Sequence, residues 1–255
     1  MTLIPYLDKD NHKDGNEVTL KNGWNTLDCS SDYQFSFRLK NNANLVTDID
    51  MTHFQGDILG RSFMTNAGIT SFTIPDTVRI IRNMAFQNVQ LRSLEIPQNI
   101  TLIQSSFLRN NNYIEEIIFP SGMNIILERG CLVNCAKLRH VILPDNMEVL
   151  ERDMFKVCPK LKDITLSNNL ERIELNAFTM CTSLETLTLP ATIKYIAYSN
   201  NRSNLSLTIL AKEPPTIESG WQFKEVLVPR DSINAYKNAT NGWEQYKDFI
   251  KPIED

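Results

Sequence analysis

A heptapeptide that returns about every 23 residues is the strongest constraint on what this chain can become. It reads Ile69-Thr-Ser-Phe-Thr-Ile-Pro75, Leu91-Arg-Ser-Leu-Glu-Ile-Pro97, Ile114-Glu-Glu-Ile-Ile-Phe-Pro120, Leu138-Arg-His-Val-Ile-Leu-Pro144, Leu161-Lys-Asp-Ile-Thr-Leu-Ser167 and Leu184-Glu-Thr-Leu-Thr-Leu-Pro190. Successive starts lie 22, 23, 24, 23 and 23 residues apart. Positions 1, 4 and 6 are apolar and positions 3 and 5 mostly polar, the period-2 signature of a strand entered from a turn. Proline, which cannot donate to a sheet ladder, stops five of the six copies. A unit this short cannot bury its own apolar face and must stack on its neighbours. The pattern therefore predicts a repeat solenoid, mainly β, built around a parallel sheet.

Further apolar marks keep the same register. Position 10 is Val78, Ile100, Met123, Met147, Leu170 and Ile193, and position 13 is Ile81, Ile103, Ile126, Leu150, Ile173 and Ile196. Around position 18 come Phe86, Phe107 or Leu108, Cys131, Phe155 and Phe178. Each unit thus points three layers of side chain inward. Val46 to Gly68 reads as an imperfect first unit, with Ile58 at position 13 and Phe63 at position 18.

The ends read as caps, which an open repeat core requires. Residues 1–45 form the first: a loose polar start to about residue 15, a hairpin of Glu17–Leu20 and Trp24–Leu27 around Asn22-Gly23, and a strand in which Tyr33, Phe35, Phe37 and Leu39 make one aromatic face. The solenoid spans residues 46–210, with Asn204 to Leu210 restoring a strand after a shortened unit. Residues 211–255 form the second cap. It contains a last strand at Glu225–Val228, a short helix started by Asp231 or Ser232 and closed by Asn241-Gly242, and a plug of Trp243, Tyr246, Phe249 and Ile253.

Several function classes are disfavoured by what the 255 residues lack. A formal net charge of −4 with no block of like charges gives no electrostatic footprint for nucleic acid or an anionic membrane. No apolar run reaches the roughly 20 residues of a membrane span, and the start, MTLIPYLDKD, lacks the basic-then-apolar order of an export signal. No catalytic residue is assigned: glycine-rich phosphate loops, HExxH and GxSxG are all missing. Glu115-Glu116 is a poor carboxylate pair, because adjacent strand residues diverge. Cys131 and Cys135 have no second pair or nearby histidine to complete a zinc site, so neither a metal nor a cofactor is expected. Four Asn-x-Ser/Thr sites matter only in a eukaryotic secretory pathway.

Asn66, Asn88, Asn111, Cys135, Cys158, Cys181 and Asn201 each stand three residues before a unit start, and the reading is one column of small polar side chains. Rungs about 4.8 Å apart with parallel Cα–Cβ vectors suit free buried thiols better than disulfides.

A partner surface falls on positions 3 and 5, which face away from the core: Ser71 and Thr73, Ser93 and Glu95, Glu116 and Ile118, His140 and Ile142, Asp163 and Thr165, Thr186 and Thr188. Ile118 and Ile142 should stand side by side in solvent, flanked by Glu116 and His140, with Arg92, Arg139 and Lys162 on the rim. An apolar pair framed by charge is the candidate contact centre, although β-branched residues also fill strands for structural reasons.

These residues resemble a known family. The LxxIxIP strands, the apolar position after them, the isoleucine and the Ala-Phe and Cys of Met84-Ala85-Phe86 and Asn176-Ala177-Phe178-Thr-Met-Cys181 look like BspA-type leucine-rich repeats of bacterial surface and secreted proteins. Leu207 to Pro215, Val228-Pro229 and Ala235-Tyr236 resemble the closing segment of such proteins in gut Bacteroidetes. The resemblance covers about residues 46–255 and implies a right-handed coil. It also implies a non-catalytic protein-binding or adhesive scaffold at the cell surface or outside the cell, meeting host or bacterial surface proteins. A carbohydrate-binding accessory role in glycan use is the second reading, and it wants solvent-facing aromatics that positions 3 and 5 do not supply. One departure stands out: the family's glycine after the position-13 isoleucine is replaced by Arg82, Gln104, Leu127, Glu151 and Glu174, so the turn there must be built differently.

Overall fold

The computed structural model describes residues 56–254 throughout, and before them only the backbone of strands Thr2–Leu7, Val18–Thr19 and Phe35–Lys40. From residue 56 the chain is a β-solenoid, with a front and a back strand in each coil from Glu116 to Ile217. Front strands come from the heptapeptides: Glu116–Ile118, His140–Ile142 and Asp163–Thr165 form one parallel set. Thr186–Leu189, Leu205–Ile209, Phe223–Val228 and Ile250–Pro252 form another. Back strands are two residues long and fall at positions 12 and 13, which the heptapeptide pattern does not reveal. Ile58–Leu59, Ile80–Ile81, Leu102–Ile103 and Ile126–Leu127 pair in one parallel ladder, and Val149–Leu150, Arg172–Ile173, Tyr195–Ile196 and Thr216–Ile217 in a second.

Position 1 is the continuous interior row: Ile69, Leu91, Ile114, Leu138, Leu161 and Leu184 are all fully buried. Aromatic rings pack along the same core, with Phe63, Phe86 and Phe107 in edge-on contact at 5.9 and 5.6 Å and Phe155 stacked on Phe178 at 5.6 Å. Such contacts add to the burial that holds coil to coil.

Two expected interior places shift by one residue. Ile126 pairs with Leu102 and is 65% exposed, while Leu127 pairs with Ile103 and is buried. The extra residue of the 24-residue unit therefore lies ahead of the back strand, around Gly122, whose φ of 73° suits glycine. In the first coil, Leu59 rather than Ile58 holds the buried place opposite Ile81. The heptapeptides at 69–75 and 91–97 keep the burial alternation, with Phe72, Ile74, Leu94 and Ile96 inside, but form no ladder. Both follow a turn one residue shorter than the later ones and are joined to each other by Gln90 N to Ile69 O and Arg92 N to Thr70 O, both at 3.2 Å.

The missing glycine is replaced by a pair of left-handed residues in every coil. The first is Ser62, Met84, Ser106, Gly130, Asp153 or Asn176, and the second, four residues on, is Asn66, Asn88, Asn110, Asn134, Val157 or Met180, all with φ between 56° and 64°. Backbone N–H groups of these residues reach the next coil, as in Asn88 N to Arg109 O at 2.9 Å. Asparagine tolerates this conformation better than other L-residues. Four of them stack into a side-chain ladder: Asn88 Nδ2 donates to Asn66 Oδ1 at 2.7 Å, Asn110 to Asn88 at 2.7 Å and Asn134 to Asn110 at 2.9 Å.

That ladder corrects the single polar column. Asn66 and Asn88 belong to the exposed left-handed row, while the buried column runs through Ala67, Val89, Asn111, Cys135, Cys158, Cys181 and Asn201. Counting back from the unit start mixed the two, because the turns before Ile69 and Leu91 are one residue short. Within the buried column a thiol or an amide meets the backbone. Cys158 Sγ donates to Leu132 O and Cys181 Sγ to Phe155 O, both at 3.1 Å, and Asn201 Oδ1 accepts from Gln222 N at 3.0 Å.

At the start of the chain, Thr2–Leu7 is a strand where a loose segment is expected. It pairs antiparallel with Phe35–Lys40 along its whole length, satisfying backbone groups that strand would otherwise expose, and also with Val18–Thr19. Phe35 in turn pairs with Leu59, which joins this sheet to the back ladder. The expected hairpin arm at 24–27, Tyr33 and the aromatic side chains lie outside the described residues.

At the far end, a 3-10 turn Arg230–Ser232 leads into the helix Ile233–Asn238, the longest helix among the described residues; none is long and apolar enough to cross a membrane. Neither Asp231 nor Ser232 makes a side-chain cap, and the helix ends before Asn241-Gly242. Gly242, at φ 103°, instead lets the chain pass so close to the Ile217 carbonyl that a Cβ would clash. Tyr236 and Trp243 are fully buried and anchored by hydrogen bonds to Ala211 O and Pro215 O at 2.9 and 2.6 Å. Phe249 is 38% exposed and not part of the plug. The last strand expected at Glu225–Val228 runs from Phe223 to Val228, and one further strand, Ile250–Pro252, pairs beyond it.

Candidate functional site

The front sheet turns positions 3 and 5 outward in two columns. Glu116, His140 and Asp163 are in register in one, and Ile118, Ile142 and Thr165 in the next. Neighbouring rungs are about 4.8 Å apart, so Ile118 and Ile142 are adjacent. Ile118 is 44% exposed, but Ile142 and His140 are half-buried rather than open. The reason is placement: His140–Ile142 is the middle strand of its set, whereas Glu116–Ile118 is an edge.

Beside these columns is a cleft of about 480 Å³ lined by Arg92, Ser93, Tyr113, Lys137 and two facing pairs. In the pairs, Arg139 Nε is 3.9 Å from Glu115 Oε2 and His140 Nδ1 is 3.9 Å from Glu116 Oε2. Exposed pairs at that separation contribute less than about 1 kcal/mol, so they set charge balance more than stability. The Lys137 ammonium lies 5.3 Å from the centre of the Tyr113 ring. Arg92 is on the cleft wall, and Lys162 is exposed on the rim one coil further along. The heptapeptide pattern does not point to Tyr113 and Lys137, which immediately precede unit starts. Their shared offset, one place before Ile114 and Leu138, is the signal that locates them.

Other chemistry is weak by comparison. Glu115 and Glu116 each face a separate basic partner, an arrangement for solvated ion pairs. Cys131, Cys135, Cys158 and Cys181 are free and buried. Burial pushes the Cys131 thiol up to about 12 and raises Cys181 as well; the hydrogen bond with Cys158, then burial, raises Cys135. Thiols held protonated are poor nucleophiles and poor ligands. Among the described residues no group of three or more His, Cys, Asp or Glu side chains is placed to hold a metal ion.

Comparison with known proteins follows the repeat. The family model described as BspA type leucine rich repeat region matches residues 56–130 and 125–219, with 6 copies. Among solved structures the chain is similar to a leucine rich cell surface protein of Faecalibacterium prausnitzii, with 25% identity and a TM-score of 0.54 over 64% of this chain and 45% of that one. A leucine-rich repeat protein of Bacteroides ovatus matches at 19% identity and a TM-score of 0.48, over 78% of this chain and 58% of its own. One from Eubacterium ventriosum matches at 17% and 0.49, over 74% and 52%. The chain thus spans about half the length of these structures. No curated protein matches the sequence significantly.

Proposed function

This chain belongs to the BspA-type leucine-rich repeat family, and from that premise we propose that it is a non-catalytic binding scaffold of the bacterial exterior, meeting a protein partner through its front sheet. The observation that carries the reading is Ile118: a large aliphatic side chain, 44% exposed and in register with Ile142, bordered by a charged cleft. An apolar centre with a polar rim is the anatomy of a protein contact. Glu116, His140, Arg92, Arg139 and Lys162 are assigned to its border. The likeness to a cell surface protein of F. prausnitzii supports the location. Carbohydrate binding is the competing role; positions 3 and 5 offer it no aromatic platform, and the exposed Tyr113 is engaged by Lys137.

Capture from bacterial and host surface fractions, with identification of the retained proteins, tests this. Ile118→Glu and Ile142→Glu should each lose the same protein while keeping the parent's circular dichroism. Retention of that protein by both variants removes the patch. Glycan-array binding without any captured protein moves the function to carbohydrate.

A further inference from the structure

We infer that the segment bound at this face is acidic: an extended peptide placing a carboxylate in the cleft between Arg92 and Lys137 and an apolar side chain on Ile118 and Ile142. This rests on the front-face reading above and adds the chemistry of the partner.

Charge balance in the cleft carries the inference. Of its two carboxylates Glu115 is matched by Arg139, while Glu116 has only the His140 imidazole, which is a cation only when protonated, so the cleft's two further cations outnumber the one carboxylate left. Arg92 and Lys137 remain, both exposed and neither in an ion pair among the described residues. Lys137 is held over Tyr113, which fixes its ammonium at the cleft rather than free in solvent. On the next coil Lys160 and Lys162 continue the same rim, also exposed and without ion pairs among the described residues. Unpaired carboxylates on these rungs, Asp163 and Glu95, stand at positions 3 and 5 instead of on the rim. A chain of net charge −4 therefore gathers cations along one edge of the exposed Ile118 and its half-buried neighbour Ile142. Such an arrangement attracts an anionic partner and repels a basic one.

Geometry sets the partner's pattern. Arg92 stands at position 2 of its heptapeptide and Ile118 and Ile142 at position 5 of theirs, three residues further along the strand direction, or about 10 Å at 3.3 Å per residue. An extended segment lying along the strands reaches both when its acidic and apolar residues are about three places apart. The groups that face such a segment here are the outward side chains of Arg92, Lys137, Ile118 and Ile142, so recognition runs through side chains.

The test uses the full chain and fluorescein-labelled Gly-Glu-Asp-Ser-Leu-Glu-Asp-Ser-Leu-Gly, its Asn/Gln analogue and a size-matched heparin oligosaccharide, followed by anisotropy at low and moderate salt. The acidic peptide should bind and weaken with salt, and the neutral analogue should bind at least about tenfold more weakly. The double variant Arg92→Glu with Lys137→Glu, folded by circular dichroism, should lose binding of the acidic peptide by about tenfold or more. Equal binding of the two peptides, no binding of the acidic one, or binding of heparin alone overturns the inference. Loss of the captured surface protein in Ile118→Glu but not in the charge-reversed variant sinks the acidic partner and leaves the scaffold reading standing. Retention of that protein by both variants removes the front-face patch as well as the acidic partner.

Discussion

Val157 should be improvable by a polar residue. It occupies the second left-handed place of its coil at φ 61°, a conformation that a β-branched side chain adopts only under constraint. The cost for an L-residue there is roughly 1–2 kcal/mol, and asparagine relieves about half of it. One coil earlier, Asn134 ends the amide ladder: its Nδ2 donates to Asn110, and its Oδ1 takes no side-chain donor among the described residues. In Val157→Asn the new amide would donate to that oxygen, for about 0.5–1.5 kcal/mol. Against this stands the apolar contact of a half-buried valine, about 1 kcal/mol. The balance is a gain of about 1 kcal/mol, or roughly 2–4 °C in Tm for a chain of this size. Thermal melts by circular dichroism measure it, with Val157→Ala as control, since alanine loses the valine contact, makes no amide bond and keeps the left-handed constraint. Should Val157→Asn melt at or below Val157→Ala, the ladder contributes nothing and the reasoning fails. Met180→Asn, at φ 64° one coil on, should stabilise more when Val157→Asn is already present than when it is not.

The remaining expectations are compact. Leu127→Lys should cost more than about 3 kcal/mol by burying a charge, whereas Ile126→Lys should stay within about 0.5 kcal/mol of the parent; urea unfolding of the pair checks the register. Gly242→Ala should destabilise by about 3 kcal/mol or more, because its Cβ meets the Ile217 carbonyl, and limited proteolysis should then release the C-terminal segment first. Cys131, whose thiol is raised by burial to about 12 from about 8.5 when unfolded, favours the folded state while protonated. That contribution is complete below about pH 8.5 and is lost as pH rises toward 12, so stability measured from pH 7 to 10 should fall less in Cys131→Ala than in the parent. Peptide mapping after iodoacetamide should find Cys131, Cys135, Cys158 and Cys181 unmodified until denaturant is added.

How much of this was legible in the sequence depends on the residue. The interior row and the outward columns follow from period-2 alternation, because one face of a strand must be buried and the other solvated. The back strands are only two residues long, too short for any alternation to show, and so Ile80-Ile81 reads as a single apolar mark. Single-residue insertions were misplaced for a related reason: apolar residues on both sides, as at Ile125-Ile126-Leu127, leave the count without a landmark. The left-handed turns were hidden because glycine, the usual sign, is mostly absent, and asparagine, serine, aspartate, methionine and valine take its place. At the candidate site, Glu116, Ile118, His140 and Ile142 follow from strand register, while Tyr113 and Lys137 share an offset before their unit starts that carries no apolar alternation to single it out.

The interruptions in the two sheets do not coincide. The back ladder stops between Ile126–Leu127 and Val149–Leu150, where front strands Glu116–Ile118 and His140–Ile142 are paired. The front pairing stops between Asp163–Thr165 and Thr186–Leu189, where Arg172–Ile173 and Tyr195–Ile196 are paired at the back. Turn-to-turn bonds such as Leu132 N to Met154 O and Asn176 N to Tyr198 O cross both places on the third side. As in brickwork, each joint is overlapped by whole courses, and no plane of weakness runs through the wall. A pulling force along the long axis should therefore meet no single seam at which residues 56–254 part into halves.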